Sequence, residues 1–235
     1  MLKRRAAIFF TSLLLSLFFL IITTTDAISA EKLTRDGVAE ILDGSRELMG
    51  KDLSNLDLTG LNLKGANLTD ANLEGVRLSN VNLSGAMLGN ANFSNALLNG
   101  TDLSGADLSG ANFYRADVTF SNLNGADLVG ASLVRAHLDG ASLVGSDLTG
   151  ADLTRVDLRG SDLTDATFIG ANLKKINLSW ADMSGADLKA ADISGANFTN
   201  ANIKTVKNMK KVKNREKATG LERAEKKGFF KKRKK

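Results

Sequence analysis

A five-residue period dominates this sequence. Written in fives from Lys51 to Thr205, the chain forms 31 consecutive units without a gap, and the third residue is apolar in all 31. The first residue is Ala in 20 units, the second is Asp or Asn in 24, and the fifth is Gly in 16. Because only 43% of the chain is apolar, chance does not explain an unbroken apolar column of this length.

A period of five fits neither an α-helix nor a simple β-strand, whose side chains repeat every 3.6 and 2 residues. A chain that regains its orientation every five residues must turn once in each unit. The pattern therefore predicts a short extended side, with the large third and small first residues pointing inward, closed by a turn. Gly, Asn and Asp at the fifth position suit the left-handed backbone that such a turn can require.

Units such as Ala66-Asn67-Leu68, Ala106-Asp107-Leu108 and Ala151-Asp152-Leu153 resemble the pentapeptide-repeat family. The resemblance covers 155 of the 235 residues. It implies an all-β solenoid, a right-handed quadrilateral β-helix with four pentads per coil and so about 7 to 8 coils for 31 pentads. Leucine, phenylalanine and alanine would fill the interior, which leaves the outer sides and the ends for any activity.

The first 30 residues have the layout of a secretory signal peptide. Lys3, Arg4 and Arg5 precede an uncharged run over residues 6–25, which small residues follow. An uncleaved N-terminal membrane anchor remains the alternative, because such a run is long enough to span a bilayer. Both interpretations place the remaining chain across a membrane, in the periplasm or, for a cyanobacterial source, in the thylakoid lumen.

The segments on either side of the repeats differ from them in composition. Residues 31–50 predict a short α-helical N-terminal cap, with Leu33, Val38, Ile41, Leu42 and Leu48 near one side. The repeat region 51–205 has a net charge of −6, whereas residues 206–235 form a basic C-terminal tail with a net charge of +11. Within that tail, Val206, Met209 and Val212 could cover the last coil.

Four pentads per coil would stack residues 20 apart. Four cations at the fifth position then line one edge, which we call the basic edge: Arg115, Arg135, Arg155 and Lys175. Cations about 4.8 Å apart repel one another unless an anion compensates them. The edge is either a docking site for an anionic partner or a solvated ridge paired with neighbouring carboxylates such as Asp117 and Asp157.

Asp107, Asp127, Asp147 and Asp187 would stack on another side. The resemblance implies one role for them, since some members of the family act on DNA gyrase by mimicking DNA. The other interpretation is local, because an Asp side chain at this position can bond nearby backbone N–H groups. Export argues against the DNA-mimicking topoisomerase modulator, since an exported protein does not meet gyrase.

The end of the chain combines aromatic rings with cations. Its candidate membrane- or polymer-binding residues are Phe229, Phe230, Lys231, Lys232, Arg233, Lys234 and Lys235. Phenylalanines beside cations suit an anionic membrane surface. Nucleic acid is a competing anion that export makes less accessible, and a disordered solubilising tail is the remaining interpretation.

The composition excludes several chemistries. The chain has no Cys and one His, so disulfides, thiol nucleophiles and cysteine-ligated metals are absent, and we expect no catalytic residues, cofactor or metal. His137, with Asp117 and Asp157 stacked beside it, is interpreted as a surface substitution. The sequence thus predicts an exported, non-enzymatic scaffold or binding protein. A protein partner, a homodimer and an enzyme with an unrecognised site in a cap stay open.

Overall fold

The repeat region winds as a ladder of short parallel bridges. In the computed structural model, which describes residues 33–221, each bridge joins residues 20 apart, beginning with Glu47 to Asn67 and continuing through Asp182 to Asn202. Residues 20 apart are four pentads apart, so each coil of the backbone has four sides. The bridges are isolated and no longer strand is formed between Leu33 and Leu221, because each pentad ends in a turn.

Backbone hydrogen bonds explain the period. The N–H of the third residue donates to a carbonyl one coil further on, as Leu53 does to Asn72 at 2.8 Å. The N–H of the next pentad's first residue donates back across the turn, as Ala66 does to Leu63 at 3.0 Å. The fifth residue is left-handed even where it carries a side chain, with φ of 58° at Arg115 and 60° at Asn55. These observations confirm the predicted turn at the fifth position.

The interior matches the predicted inward positions. Third-position residues from Leu53 to Phe198 are all at most 1% exposed, and the alanines at the first position are buried beside them. Phe93 and Phe113 follow each other on one side of the coil, and their rings stack with centroids 4.9 Å apart and planes 10° from parallel. Burial of these apolar side chains is the main source of stability, at roughly 25 cal/mol per Å².

Buried hydroxyl groups replace alanine at some first positions without leaving a polar atom unsatisfied. Thr101 and Ser121 donate to the carbonyls of Leu78 and Leu98 at 2.8 and 2.6 Å. Ser146 and Ser161 donate within their own turns, to Leu143 and Leu158. An unpaired buried hydroxyl would cost about 1–3 kcal/mol, so these hydrogen bonds make the substitutions tolerable.

The helix α1, Arg35–Asp43, precedes the ladder. Thr34 caps it by accepting a hydrogen bond from the Gly37 N–H at 3.2 Å, and Val38 and Leu42 are its buried residues. The Arg46 guanidinium donates to the Leu42 carbonyl at the end of α1. It also donates to the carbonyls of Asn62 and Lys64, each at 2.8 Å, in the first coil.

The ladder continues beyond the boundary that the five-residue period predicts at 205. Asp187, Asp192 and Asn197 bridge to Lys207, Lys213 and Thr219, so the last sides contain six residues instead of five. Two short 3₁₀ helices, Met209–Lys211 and Arg215–Lys217, take up the extra residues. We call residues 206–221 the terminal coil. Met209 and Leu221 are buried in it, whereas Val206 and Val212 are half-buried.

Candidate functional site

The basic edge is a row of exposed side chains on a left-handed corner of the coil. Arg115, Arg135, Arg155 and Lys175 have φ between 58° and 61°, and their N–H groups donate one coil further on to Val134, Thr154, Lys174 and Ser194. The Lys175 side chain runs along the edge, with its Cγ 3.4 Å from the position that a Cβ on Gly195 would occupy. The backbone therefore places the four residues above one another on one corner, and their role as a docking site stays a prediction.

The carboxylates expected to neutralise the basic edge are engaged elsewhere. Asp117 accepts hydrogen bonds from the N–H and hydroxyl of Thr119 at 3.1 and 2.8 Å. Asp157 binds Arg159, whose Nε and Nη2 lie 2.9 and 2.8 Å from its Oδ2. Within residues 33–221, the four cations of the basic edge form no salt bridge. The row is thus an unneutralised line of positive charge.

Arg159 is a functional candidate that the repeat pattern does not single out. Hydrogen bonding to Asp157 and the charge of that carboxylate raise the pKa of the Arg159 guanidinium, and the charge of Asp139 adds to this. One nitrogen of His137 and one carboxylate oxygen each of Asp139 and Asp157 lie within 4.8 Å of one another, an arrangement that could hold a metal ion. Arg159 already supplies the cation that Asp157 needs, which disfavours a metal there.

The aspartates stacked at the second position hold their own turns. Asp107, Asp127 and Asp147 each accept a hydrogen bond at Oδ1 from the N–H two residues on, at 3.0, 2.9 and 2.9 Å. Asp187 does the same with Lys189 at 2.9 Å and also accepts from Asn208. This geometry favours the local interpretation of the acidic column and explains why Asp and Asn dominate the second position.

Two aromatic residues project from the next edge. Phe120 and Trp180 are 72% and 69% exposed, and both are left-handed, with φ of 56° and 64°. Other residues of the same column are Gly60, Asn80, Gly100, Gly140, Gly160 and Asn200. A bulky residue pays about 1–2 kcal/mol for this backbone conformation, and neither ring regains that cost by burial. We call Phe120 and Trp180 the aromatic edge.

The terminal coil carries a second group of cations. Lys207, Lys210, Lys211, Lys213 and Lys217 are exposed on it, and Glu216 is the only acidic residue between 206 and 221. Lys207 approaches Asp165 at 3.7 Å, a contact between two exposed groups that contributes little. The basic composition predicts a tail for these lysines, whereas the structure places this segment on the ladder, where Lys207 and Lys213 form bridges.

Some predicted segments lie outside the described residues. The signal peptide or anchor over residues 1–30 is one, and the aromatic and basic residues from Phe229 to Lys235 are the other. Among residues 33–221, no helix combines the length and the apolar character that a membrane crossing requires.

The sequence matches the family model for pentapeptide repeats, in 8 copies, over residues 48–85, 77–115, 86–125, 121–160 and 161–200. No curated protein matches the chain. Among solved structures, it is 30% identical to HetL, a pentapeptide repeat protein involved in heterocyst differentiation regulation in the cyanobacterium Nostoc sp. strain PCC 7120. That match covers 75% of this chain and 93% of HetL, with a TM-score of 0.45.

Two further solved structures are similar to parts of the chain. A pentapeptide repeat protein from the thylakoid lumen of Arabidopsis thaliana is 32% identical over 44% of this chain and 68% of its own, with a TM-score of 0.38. The plasmid-mediated fluoroquinolone resistance protein QnrB1 is 23% identical over 75% of this chain and 91% of its own, with a TM-score of 0.34.

Proposed function

Because the chain belongs to the pentapeptide-repeat family, a family of right-handed β-helices, we propose that it is a non-enzymatic scaffold that docks on an anionic membrane surface. The exposed lysines of the terminal coil carry this proposal. They present five positive charges at one end of the ladder, with Glu216 as the single negative charge among them. Each cation near an anionic bilayer contributes about 1 kcal/mol to binding.

The remaining sequence extends the same chemistry. Residues 222–235 add eight more cations and the pair Phe229 and Phe230, whose rings suit the interface between headgroups and acyl chains. The basic C-terminal segment is therefore the proposed anchor. The repeats would be held at the membrane through this C-terminal end.

The other parts of the chain take the following roles in this proposal. Residues 1–30 direct export, to the periplasm or to the thylakoid lumen of a cyanobacterium. The repeats 51–205 wind into about 7 to 8 coils. The helix α1 closes their N-terminal end, which Arg35 and Arg46 support by donating to the first-coil carbonyls of Thr59, Asn62 and Lys64.

Vesicle binding tests the proposal with a charge-matched pair of variants. One variant replaces Lys210, Lys211, Lys213 and Lys217 of the terminal coil by Gln, and the control replaces Lys51, Lys64, Lys189 and Lys204. Both lose four charges from exposed lysines. Co-sedimentation would use vesicles of phosphatidylcholine with and without phosphatidylglycerol, at low and high salt.

We expect binding only to the anionic vesicles, weakened by salt. Each terminal-coil lysine removed should weaken binding about fivefold, and the control should change it much less. A chain ending at Leu221 separates the terminal coil from the last 14 residues. Equal binding by the two charge-matched variants, or binding that ignores salt, would refute the proposal.

A further inference from the structure

We infer that the solenoid lies on its side against the membrane, with Phe120 and Trp180 inserted at the interface and the basic edge facing the headgroups. This inference rests on the proposed function, to which it adds a second contact surface. The surface is the side that the pentads 116–120, 136–140, 156–160 and 176–180 form. The basic edge precedes this side in every coil, and the aromatic edge ends it.

The aromatic edge has no explanation in the stability of the fold. Phe120 and Trp180 occupy a left-handed corner where the same column otherwise carries Gly or Asn, and both rings remain mostly exposed. The left-handed backbone opposes folding, and a ring that stays mostly exposed gains little by burial to offset that cost. Residues that are unfavourable in the free protein and that share one edge indicate a surface that becomes buried on binding.

The spacing along this edge suits insertion of two separate rings. Phe120 and Trp180 are three coils apart, or about 14 Å at the usual separation of paired strands. Gly140 and Gly160 lie between them. The Phe120 ring covers Gly140, with its Cδ1 and Cε1 2.6 and 2.5 Å from where a Cβ of that glycine would lie. Neither glycine carries a side chain of its own, so no third side chain separates the two rings from a flat surface.

The basic edge runs parallel to the aromatic edge across the same side. It is also continuous with the terminal coil, because the next residue of its column, Gly195, donates its N–H to the carbonyl of Lys217 at 3.1 Å. Between the two edges lie Asp117, Asp139 and Asp157 with Arg159. Counted with the four cations of the basic edge, these groups give the side a net charge of +2.

A lipid surface fits these features better than a nucleic acid or a protein does. The side presents cations along one edge and two isolated, mostly exposed rings along the other. Trp and Phe favour the membrane interface, where a ring is partly buried while its surroundings stay wet. Cations one side away from the rings would meet anionic headgroups at the same time.

Trp180 is the only Trp of the chain and reports directly on this contact. We would measure its fluorescence on adding anionic vesicles, with and without brominated lipid as a quencher. Docking through the side predicts a blue shift and quenching by the brominated lipid. Vesicle binding with unchanged Trp180 emission would overturn the side-on inference while leaving attachment through the terminal coil intact.

Three variants complete the test. Phe120→Gly and Trp180→Asn introduce the residues that this column normally carries, so both should fold, as circular dichroism would verify. We expect each to weaken binding to anionic vesicles about tenfold, because a large apolar side chain no longer leaves water. The control Tyr114→Ser removes an exposed aromatic from the neighbouring side, and we expect little effect.

Equal affinities for Phe120→Gly, Trp180→Asn and the unmodified chain would reject the inference. If the unmodified chain fails to bind anionic vesicles at all, both the docking function and the side-on contact are wrong. A double variant with Arg135→Gln and Arg155→Gln should also have a lower affinity for anionic vesicles than the unmodified chain, and that affinity should depend less on salt. Unchanged affinity in that double variant would remove the basic edge from the contact.

Discussion

The guanidinium of Arg46 donates a hydrogen bond of 2.8 Å to the carbonyl oxygen of Asn62. In the following coil the equivalent carbonyl, that of Asn82, accepts from the backbone N–H of Leu63 at 3.0 Å. Arg46 thus replaces a backbone donor that a preceding coil would supply. Because it does the same for Lys64 while holding the Leu42 carbonyl, one side chain joins α1 to the first coil.

Replacing Arg46 with Ala should lower the free energy of unfolding by about 1–3 kcal/mol, because it removes the donors to three carbonyls. Urea unfolding followed by circular dichroism measures this change. The matched control is Lys51→Ala, which removes the same charge from an exposed side chain nearby. A loss as large for Lys51→Ala would show that charge alone, and not hydrogen bonding, is responsible.

The stacked rings of Phe93 and Phe113 give a packing prediction. Phe113→Ala should cost about 3–5 kcal/mol, since a buried ring is lost and the coil can collapse only partly. Phe113→Leu should cost much less, about 1.5 kcal/mol or below, because Leu is the residue that most third positions carry. Similar losses for the two variants in chemical unfolding would contradict the close packing of the interior.

Phe120→Gly should make the protein more stable, by up to about 1.5 kcal/mol. Relief of the left-handed backbone, about 1–2 kcal/mol, is offset in part by the greater entropy of Gly in the unfolded chain, about 0.5–1 kcal/mol. The midpoint of thermal unfolding measures the net effect. A lower midpoint would show that the Phe120 ring contributes to the fold despite its exposure.

Gly140→Ala should destabilise the chain for two reasons. Its φ of +67° disfavours any side chain, and the Phe120 ring occupies the space of the added Cβ. Only the second effect depends on Phe120, so the loss should be smaller when Phe120→Gly is already present. A double-mutant cycle measures this coupling, and a coupling of zero would mean that the ring does not rest on Gly140.

Acid should destabilise the protein through Asp182. The hydroxyl and the N–H of Ser184 hold the pKa of the Asp182 carboxyl below its usual value, and Asn202 adds to this. A carboxyl with a lowered pKa in the folded state stabilises the protein above its unfolded pKa, near 3.9, and this contribution is lost as the pH falls through the folded pKa. We therefore expect stability to fall below about pH 4.

Two variants identify the source of that acid sensitivity. Asp182→Asn should flatten the fall in the free energy of unfolding below about pH 4, because the side chain no longer titrates. Ser184→Ala should reduce the slope less, since the N–H of residue 184 still donates. Unfolding by urea at a series of pH values measures the slopes. Unchanged slopes in both variants would exclude Asp182 as a contributor.

The sequence was sufficient to predict the repeating part of the fold. The inward positions follow from the period and its residue types together. Burial confirms them at the third position from Leu53 to Ile203 and at the first position from Ala66 to Ala196. The left-handed fifth position is confirmed even at Arg135 and Lys175, where glycine is absent. The stacking of the basic edge followed from the resemblance to pentapeptide-repeat proteins, which supplied the four pentads per coil.

The remaining features depend on contacts that no period encodes. Residues 206–221 do not follow the five-residue period, so extending that period could not predict their six-residue sides. The pairing of Asp157 with Arg159, instead of with the basic edge, depends on which guanidinium reaches the carboxylate. The role of Arg46 depends on which carbonyls the first coil leaves without a donor.

The six-residue sides of the terminal coil have a consequence for polymerisation. A solenoid built from identical coils can act as a template. Its last coil offers a second molecule the same backbone carbonyls and N–H groups that pair successive coils within one chain. In this protein the terminal coil has longer sides, and its corners at Asn208 and Asn214 are followed by 3₁₀ helices. An incoming molecule would find hydrogen-bonding groups out of step with its own, which opposes end-to-end growth into a fibre.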